Sequence, residues 1–261
     1  MRSSDMGVIT PATKSGEPMF SAPSVAVLRE LAPTGSLRAA INYGNSVLAQ
    51  RSPNGERCGV SVDLSLALAK RLNVPIEFVD LQAAGKSFEA LATGKADVGY
   101  IGIEPARAAE IDYSPPYILL EGSYMVRNES AIKGIEDIDK PGITIGVGLA
   151  SVYDLYLTRI IKHATLVRAK VGGGAAGIPV FLEQNLDVAA GVRQPFEDYV
   201  QHHPEMRLIP GSFQEIRQAI GTPKGRPNGL AFLTSFIEEV KASGFVAEAI
   251  KRSGQVAVVA P

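Results

Sequence analysis

The sequence predicts an α/β protein built around mainly parallel sheets. Between residues 37 and 101, short predicted strands alternate with segments in which apolar residues recur at helical spacing. The alternation starts again after residue 127, and two helical segments, 230–243 and 245–252, finish the chain. Alternating strands and helices are typical of parallel sheets with crossover helices. Two such units in succession indicate two lobes, and the final helices suggest a return to the first.

Each unit has a predicted order of elements. In the first, we expect a strand at 37–43, a helix at 62–72, a strand at 76–80, a helix at 87–93 and a strand at 97–101. In the second, we expect a short helix at 135–138, a strand at 143–147, a helix at 152–162, a strand at 166–169, a helix at 178–184, a strand at 186–190 and a helix at 195–202. Asn73, Pro75 and Gly94 are helix stop signals.

The composition is that of an ordinary soluble globular protein and argues against several functions. The 261 residues are 46% hydrophobic and 20% charged, with a formal net charge of −1, so a sizeable core is expected and a polyanionic partner is not. There is no Trp and no basic run interleaved with aromatic residues, which argues against nucleic-acid binding. The single cysteine, Cys58, lies in a predicted turn and favours a structural thiol. No apolar run reaches the length of a membrane span.

Residues 1–24 predict an irregular N-terminal arm. They are rich in Pro, Ser, Thr and Gly, and they contain neither an apolar signal core nor a clear cleavage site. As written, the chain has no predicted export signal. Either the protein stays in the cytoplasm, or a leader has been trimmed or mis-assigned upstream.

The most informative residue is Arg107, which ends the segment Glu104-Pro105-Ala106-Arg107. This segment follows a predicted strand, and open α/β sheets bind ligands outside the carboxyl ends of their strands. A guanidinium offers five donors in a rigid fork that suits a carboxylate. On these residues alone, a surface arginine paired with Glu104 or Glu110 is the better interpretation.

A second turn, Gly146–Ser151, leads from a strand into a helix and is suited to an anion. Free backbone N–H groups at a helix start attract negative charge, and the Ser151 hydroxyl can cap the helix or donate to a ligand. The glycine run 172–174 lacks the residues of a phosphate loop and predicts a flexible loop. No metal-ligand spacing and no nucleophile motif is present, so we expect no metal, no cofactor and no catalytic residue.

Several motifs occur in a characteristic order along residues 36–252. They are Gly59-Val60-Ser61-Val62-Asp63-Leu64, Ala90-Leu91-Ala92-Thr93-Gly94-Lys95-Ala96-Asp97, Pro105-Ala106-Arg107-Ala108 followed by Asp112-Tyr113-Ser114-Pro115-Pro116-Tyr117, Ile145-Gly146-Val147, Leu186-Asp187-Val188, and Ile220-Gly221-Thr222-Pro223-Lys224-Gly225. As an ordered set they resemble the type II solute-binding proteins, family 3, which serve polar amino acid ABC transporters.

This resemblance implies a two-lobed, periplasmic-binding-protein-like (type II) fold. Each lobe would be a mixed, mainly parallel sheet flanked by helices, and two hinge strands would cross between the lobes near 119–122 and 214–222. We expect the first lobe to comprise 25–120 with 221–261, and the second lobe to comprise 121–220.

The resemblance also implies where a ligand binds. Arg107 would pair with a ligand carboxylate. The other ligand-binding residues expected around the cleft are Asn42, Tyr43, Asn45, Tyr100, Gly102, Ser151 and Val152.

Two departures from the family pattern change the expected ligand. The approach from Asp97 to Arg107 is short and has Tyr100-Ile101-Gly102 where the family often carries a Ser or Thr. Amino acid binders usually place an Asp after the strand at 186–187 to hold the α-ammonium, but this chain has Gly191-Val192-Arg193. A buried ammonium without a counter-charge is costly. We therefore expect a small organic anion or amino-acid-like ligand without a standard α-ammonium, with Arg193 as a second positive group.

The expected function is that of a monomeric, non-enzymatic binding protein that closes on a small carboxylate-bearing ligand for uptake through an ABC permease. The resemblance places it in the periplasm, whereas the predicted lack of a signal leaves the cytoplasm open. One alternative is an enzyme on the same scaffold, similar to cyclohexadienyl dehydratases, which needs a cleft acid such as Glu104 or Asp154. Another is a cytoplasmic ligand sensor that contacts a second protein.

Overall fold

The computed structural model describes residues 22–261, so the predicted arm lies outside the described residues up to residue 21. The helices are α1 (Val25–Leu31), α2 (Val60–Leu72), α3 (Ala84–Ala92), α4 (Val152–Ile160), α5 (Gly177–Glu183), α6 (Arg193–His202), α7 (Pro227–Ala242) and α8 (Phe245–Arg252), with 3-10 turns at Pro105–Arg107 and Ile135–Asp137. The strands are β1 (Leu37–Asn42), β2 (Gln50–Arg51), β3 (Arg57–Cys58), β4 (Ile76–Leu81), β5 (Val98–Gly102), β6 (Ile111–Arg127), β7 (Thr144–Gly148), β8 (Thr165–Ala169), β9 (Val188–Val192), β10 (Met206–Leu208), β11 (Gln214–Pro223) and β12 (Val258–Val259).

Two parallel groups of strands are joined by two long antiparallel strands. The order is β4-β1-β5-β11-β6-β9-β7-β8. We call the half with β4, β1 and β5 the first lobe, and the half with β9, β7 and β8 the second lobe; within each, the pairing is parallel. The strands β6 and β11 pair with each other and run between the lobes. This confirms the predicted two-lobed α/β fold with two crossing strands, while the residue boundaries of the lobes remain a prediction.

The hydrophobic pattern explains how the elements adjacent to the cleft form. All five residues of β5 and all five of β9 are buried, as expected for inner strands covered on both faces. Helix α2 buries its apolar side, including Leu64 and Leu68, and is followed by Asn73, whose φ of 55° gives a left-handed cap. At the end of the chain, α8 packs against α2 and α7 against α1, so the chain returns to the first lobe.

One predicted strand–helix junction is displaced along the chain. The strand expected at 186–190 lies at Val188–Val192, and the next helix begins at Arg193 without a loop. The reason is local: Leu186 donates its N–H to Phe181 O, closing the turn after α5. Asp187 is held outside the strand, because its carboxylate accepts from the backbone N–H of Thr144 at 2.8 Å. Within residues 22–261, no helix is both long and apolar enough to cross a bilayer.

Candidate ligand-binding cleft

A small cavity lies between the lobes, where the ends of β1 and β5 face the start of α4. Its volume is about 30 Å³, room for about two water molecules. Every lining residue in the described chain is uncharged. The lining residues are Asn42, Asn45, Leu48, Ala84, Tyr100, Ile101, Gly102, Ser151, Val152, Tyr153, Gly173, Gly174, Val192, Ile216 and Gln218.

The structure brings together most of the residues that the resemblance assigns to the ligand. Those that line the cavity are Asn42, Asn45, Tyr100, Gly102, Ser151 and Val152. Tyr43, Arg107 and Arg193 lie elsewhere. The role of each in ligand binding stays a prediction, and their positions explain what each can contribute.

The loop after β1 is shaped by its two asparagines. Asn42 Oδ1 accepts from the Gly44 N–H at 3.0 Å, and Asn45 Oδ1 accepts from the Val47 N–H at 3.2 Å. Their amide groups remain beside the cavity. Tyr43 points the other way, toward the β2–β3 hairpin, where Arg51 lies 4.7 Å from its ring centroid. Burial raises the pKa of Tyr43, with a smaller contribution from nearby Asp80.

The end of β5 forms the wall that faces the second lobe. The Ser65 hydroxyl donates to Tyr100 Oη at 3.0 Å, and burial raises the pKa of this phenol well above its usual range. Gly102 lies against Val152 of the opposite lobe, so closely that an added Cβ would stand 3.3 Å from the valine Cβ. The short, glycine-ended approach therefore brings the lobes into contact.

The start of α4 is capped from within the second lobe. Ser151 Oγ accepts from the Asp154 N–H at 3.1 Å and donates to Gly148 O at 2.7 Å. Asp154 Oδ2 accepts from the Ala150 N–H at 2.8 Å, and its other oxygen pairs with Arg168 at 2.9 Å. Of the two roles open to Ser151, capping is present in the structure. The Ala150 N–H that would favour an anion is already bonded.

Arg107 is buried between the lobes, with 3% of its surface exposed. Its Nη2 donates to the carbonyl of Ala150 in the second lobe at 2.7 Å, and its guanidinium lies 5.7 Å from the Phe88 ring centroid. Its Nη1 has no hydrogen-bond partner among residues 22–261. Burial lowers the pKa of Arg107. The interpretation of Arg107 as a surface arginine paired with Glu104 or Glu110 is therefore wrong.

A half-buried ion pair next to Arg107 also joins the lobes. Glu104 is 1% exposed, and its carboxylate accepts from both terminal nitrogens of Arg159 on α4, with 3.3 Å between Nη2 and Oε2. Glu104 also caps the 3-10 turn by accepting from the Ala106 N–H at 3.4 Å. Sequence reasoning missed Arg159, because nothing local distinguishes it from any exposed helix arginine.

The glycine run 172–174 is a loop before α5, as predicted, and it also contacts the first lobe. The Gly174 N–H donates to Gly44 O at 2.6 Å, and the Tyr153 hydroxyl donates to Gly173 O. A Cβ on Gly172 would lie 3.0 Å from the Cβ of Ala83 in the first lobe. The glycines let two backbones meet where side chains would separate them.

Arg193 does not supply a second positive group at the cavity. It is the first residue of α6, and its side chain extends to Glu121 on the crossing strand β6 and to the carbonyl of Gly211. Its preceding neighbour, Val192, lines the cavity instead. The residues toward the end of β9 therefore place no charge in the cleft.

Both carboxylates considered as general acids form ion pairs with arginines. Glu104 pairs with Arg159 and Asp154 with Arg168, and neither side chain lines the cavity. The described part of the chain contains no group of three or more His, Cys, Asp or Glu side chains placed to hold a metal ion.

The fold is that of a two-lobed solute-binding protein. The chain belongs to the bacterial extracellular solute-binding proteins, family 3, whose family model matches residues 37–255. This confirms the resemblance drawn from the ordered motifs. The amino-acid-binding protein AabA of Dichelobacter nodosus is 23% identical over 176 residues, which are 66% of this chain and 69% of that protein.

Solved structures share the fold. A mutant of the arginine-binding protein ArgBP from T. maritima superposes with a TM-score of 0.73 at 22% identity, covering 87% of this chain and 99% of that one. A solute receptor for L-cysteine from Neisseria gonorrhoeae gives 0.74 at 18% identity over 88% and 93%. The ancestral amino-acid-binding protein AncCDT-1, a precursor of cyclohexadienyl dehydratase, gives 0.71 at 24% identity over 86% and 98%. These likenesses show the shared fold.

Proposed function

We propose that the protein closes its two lobes on a small carboxylate-bearing solute and delivers it to an ABC permease. The observation that carries this proposal is the buried Arg107 between the lobes. One of its terminal nitrogens is bonded only to a neutral carbonyl, and the other has no partner in the described chain. A buried cation without a full counter-charge is costly, and a carboxylate supplies both the charge and a second acceptor.

Closure links Arg107 to solute entry. A cavity of about 30 Å³ is too small for a solute of amino-acid size, so the lobes must part to admit one. Parting the lobes separates Arg107 from Ala150 O and exposes the guanidinium to the incoming carboxylate. Closing again removes water from the pair and strengthens it, as in other hinged binding proteins.

The uncharged lining supports a solute without a standard α-ammonium. No Asp or Glu side chain lines the cavity in the described chain, and both nearby carboxylates are paired with arginines. An ammonium placed there would lose its hydration without gaining a counter-charge. The relatives named for arginine or cysteine bind those amino acids; for this chain we infer an organic anion or an amino-acid-like carboxylate.

The family description supports a setting for the protein. The family is described as extracellular, so we infer that the protein acts outside the cytoplasm, in the periplasm. We also infer that it works as a monomer, because the cleft is completed by the two lobes of one chain.

Calorimetry with Arg107→Met tests the proposal. Methionine keeps much of the buried length but removes the charge, so affinity for carboxylate solutes should fall by about 2–5 kcal/mol, because the ligand charge loses its partner. Arg217→Met is the matched control: Arg217 is 64% exposed on β11, where it pairs with Glu215, and its loss should leave affinity unchanged.

Two results would contradict the proposal. Carboxylate binding that survives Arg107→Met unchanged would remove Arg107 as the anchor. Tight binding of an ordinary amino acid would overturn the inference that the solute lacks an α-ammonium.

A further inference from the structure

We propose that Gln218 determines specificity by requiring an uncharged hydrogen-bond donor on the solute. This rests on the proposed function and extends it by naming the solute class: a monocarboxylate that also carries a neutral O–H or N–H group. Neither the family motifs nor the predicted site residues include Gln218.

The environment of Gln218 supports this role. The residue lies on the crossing strand β11, is 3% exposed and lines the cavity. Its Oε1 is buried and has no hydrogen-bond partner within residues 22–261. Its neighbour across the ladder with β5 is Gly102, which has no side chain to fill the space. In the described chain, Gln218 Oε1 is therefore a free acceptor at the cavity that a donor on the solute can satisfy.

The backbone geometry also singles out this position. The pairing of β11 with β6 shifts register between Gln218 and Ala219. Such irregularities bend a strand and redirect its side chains, often beside binding sites. The register shift occurs at the cavity-lining residue on the hinge strand, so the amide is placed by the fold itself.

The neighbouring hydroxyls on the second lobe do not satisfy Gln218. Ser151 Oγ donates to Gly148 O, and the Tyr153 hydroxyl donates to Gly173 O. Both donate within the second lobe, so neither supplies the donor that Gln218 Oε1 lacks in the described chain, and a bound solute can supply it. A neutral donor suits the site better than an ammonium, because an amide oxygen supplies a hydrogen bond but no counter-charge.

The test uses pairs of monocarboxylates with nearly the same shape. Lactate and isobutyrate differ by hydroxyl for methyl, as do hydracrylate and butyrate; succinamate and levulinate differ by amide NH₂ for methyl. Affinities are measured by NMR titration of the full chain. In the pair that binds most tightly, the donor-bearing member should be preferred by about tenfold or more, because a methyl group leaves the buried acceptor unsatisfied.

The variant Gln218→Met should abolish or reverse this preference. Gln214→Met is the matched control, because Gln214 lies on the same strand and also has a buried Oε1 without a partner in the described chain, but it does not line the cavity. The control should keep the wild-type preference. Thermal melting of both variants verifies that they fold.

The outcomes separate this inference from the proposed function. Monocarboxylates that bind through Arg107 without preferring the donor-bearing member would overturn the role of Gln218 and leave the proposed function intact. The wild-type comparison decides this even if Gln218→Met does not fold. If no carboxylate in any pair binds, or if binding ignores Arg107→Met, the proposed function fails and the inference fails with it.

Discussion

Removing the charge of Glu104 should open the cleft. Glu104 and Arg159 belong to different lobes, and their ion pair exists only when the lobes are closed. The variant Glu104→Gln keeps the size of the side chain and can still accept from the Ala106 N–H. It therefore weakens the contact between lobes with little disturbance of the first lobe.

The expected magnitude follows from the burial of the two partners. Hydrogen bonds to charged groups contribute about 1.5–3 kcal/mol, whereas exposed ion pairs contribute about 0.2–1 kcal/mol. Glu104 is 1% exposed and Arg159 is 45% exposed, so the pair lies between these cases. We expect Glu104→Gln to disfavour closure by about 1–2 kcal/mol, a factor of about 5–30 in the equilibrium between closed and open lobes.

Arg159→Met should open the cleft further than Glu104→Gln. In closed lobes it leaves a buried carboxylate without its partner, whereas Glu104→Gln leaves a cation that already reaches water. In the double variant, Arg159→Met should open the cleft little further, because Glu104→Gln has already removed the carboxylate that would lose its partner.

Small-angle X-ray scattering of the purified protein measures the opening as an increase in radius of gyration. Glu110→Gln is the control, because it makes the same charge change at an exposed residue six positions along the chain. Scattering curves of Glu104→Gln and Arg159→Met that match the wild type would show that this pair does not hold the lobes together, and the reasoning would be refuted.

Two further predictions concern lobe contact and pH. Gly85→Ala should stabilise α3 by up to about 1 kcal/mol yet open the lobes, because its Cβ would lie 2.9 Å from the Ala150 Cβ across the cleft. Adding Ala150→Gly removes the opposing Cβ at a position where φ is 53°, so small-angle scattering should show the lobes closed again. A double variant that stays open would contradict this contact. Burial raises the pKa of Tyr100, Tyr117 and Tyr153. Their contribution to stability should be complete below about pH 10 and should be lost as the pH rises toward the folded-state pKa. Tyrosinate absorbance should therefore develop together with unfolding. Ionisation of every tyrosine near pH 10 in a folded chain would contradict this.

Local patterns predicted much of the fold. The apolar spacing of 62–72 and the Asn73 stop match α2, and the run at 97–101 matches the fully buried β5. These features depend on neighbouring residues, so they are visible in sequence. The displaced junction at Val188–Arg193 depended in part on the bond between Asp187 and Thr144, which lie 43 residues apart in the chain, and sequence reasoning misplaced it.

The candidate site was predicted in part. The loop after β1, the end of β5 and the start of α4 meet at the cavity, as their positions at strand ends indicate. Arg193 was assigned to the cleft from its place after β9, but Glu121 on β6 holds its side chain. The direction of a side chain depends on the partners that packing brings near it, and these are not encoded by spacing.

The sequence by itself determined the order of strands and helices, the two-lobed class and the presence of Arg107 beyond a buried strand. Only the tertiary structure decided what Arg107 and its neighbours contact. Arg107 meets Ala150 across 43 residues of chain, and Glu104 meets Arg159 across 55. Both contacts join the two lobes when the lobes are closed. Closure brings backbones together at glycines, and the positions of these glycines follow no periodic pattern in the sequence. The contacts that form the site therefore lie between the lobes, and no local sequence pattern specifies them.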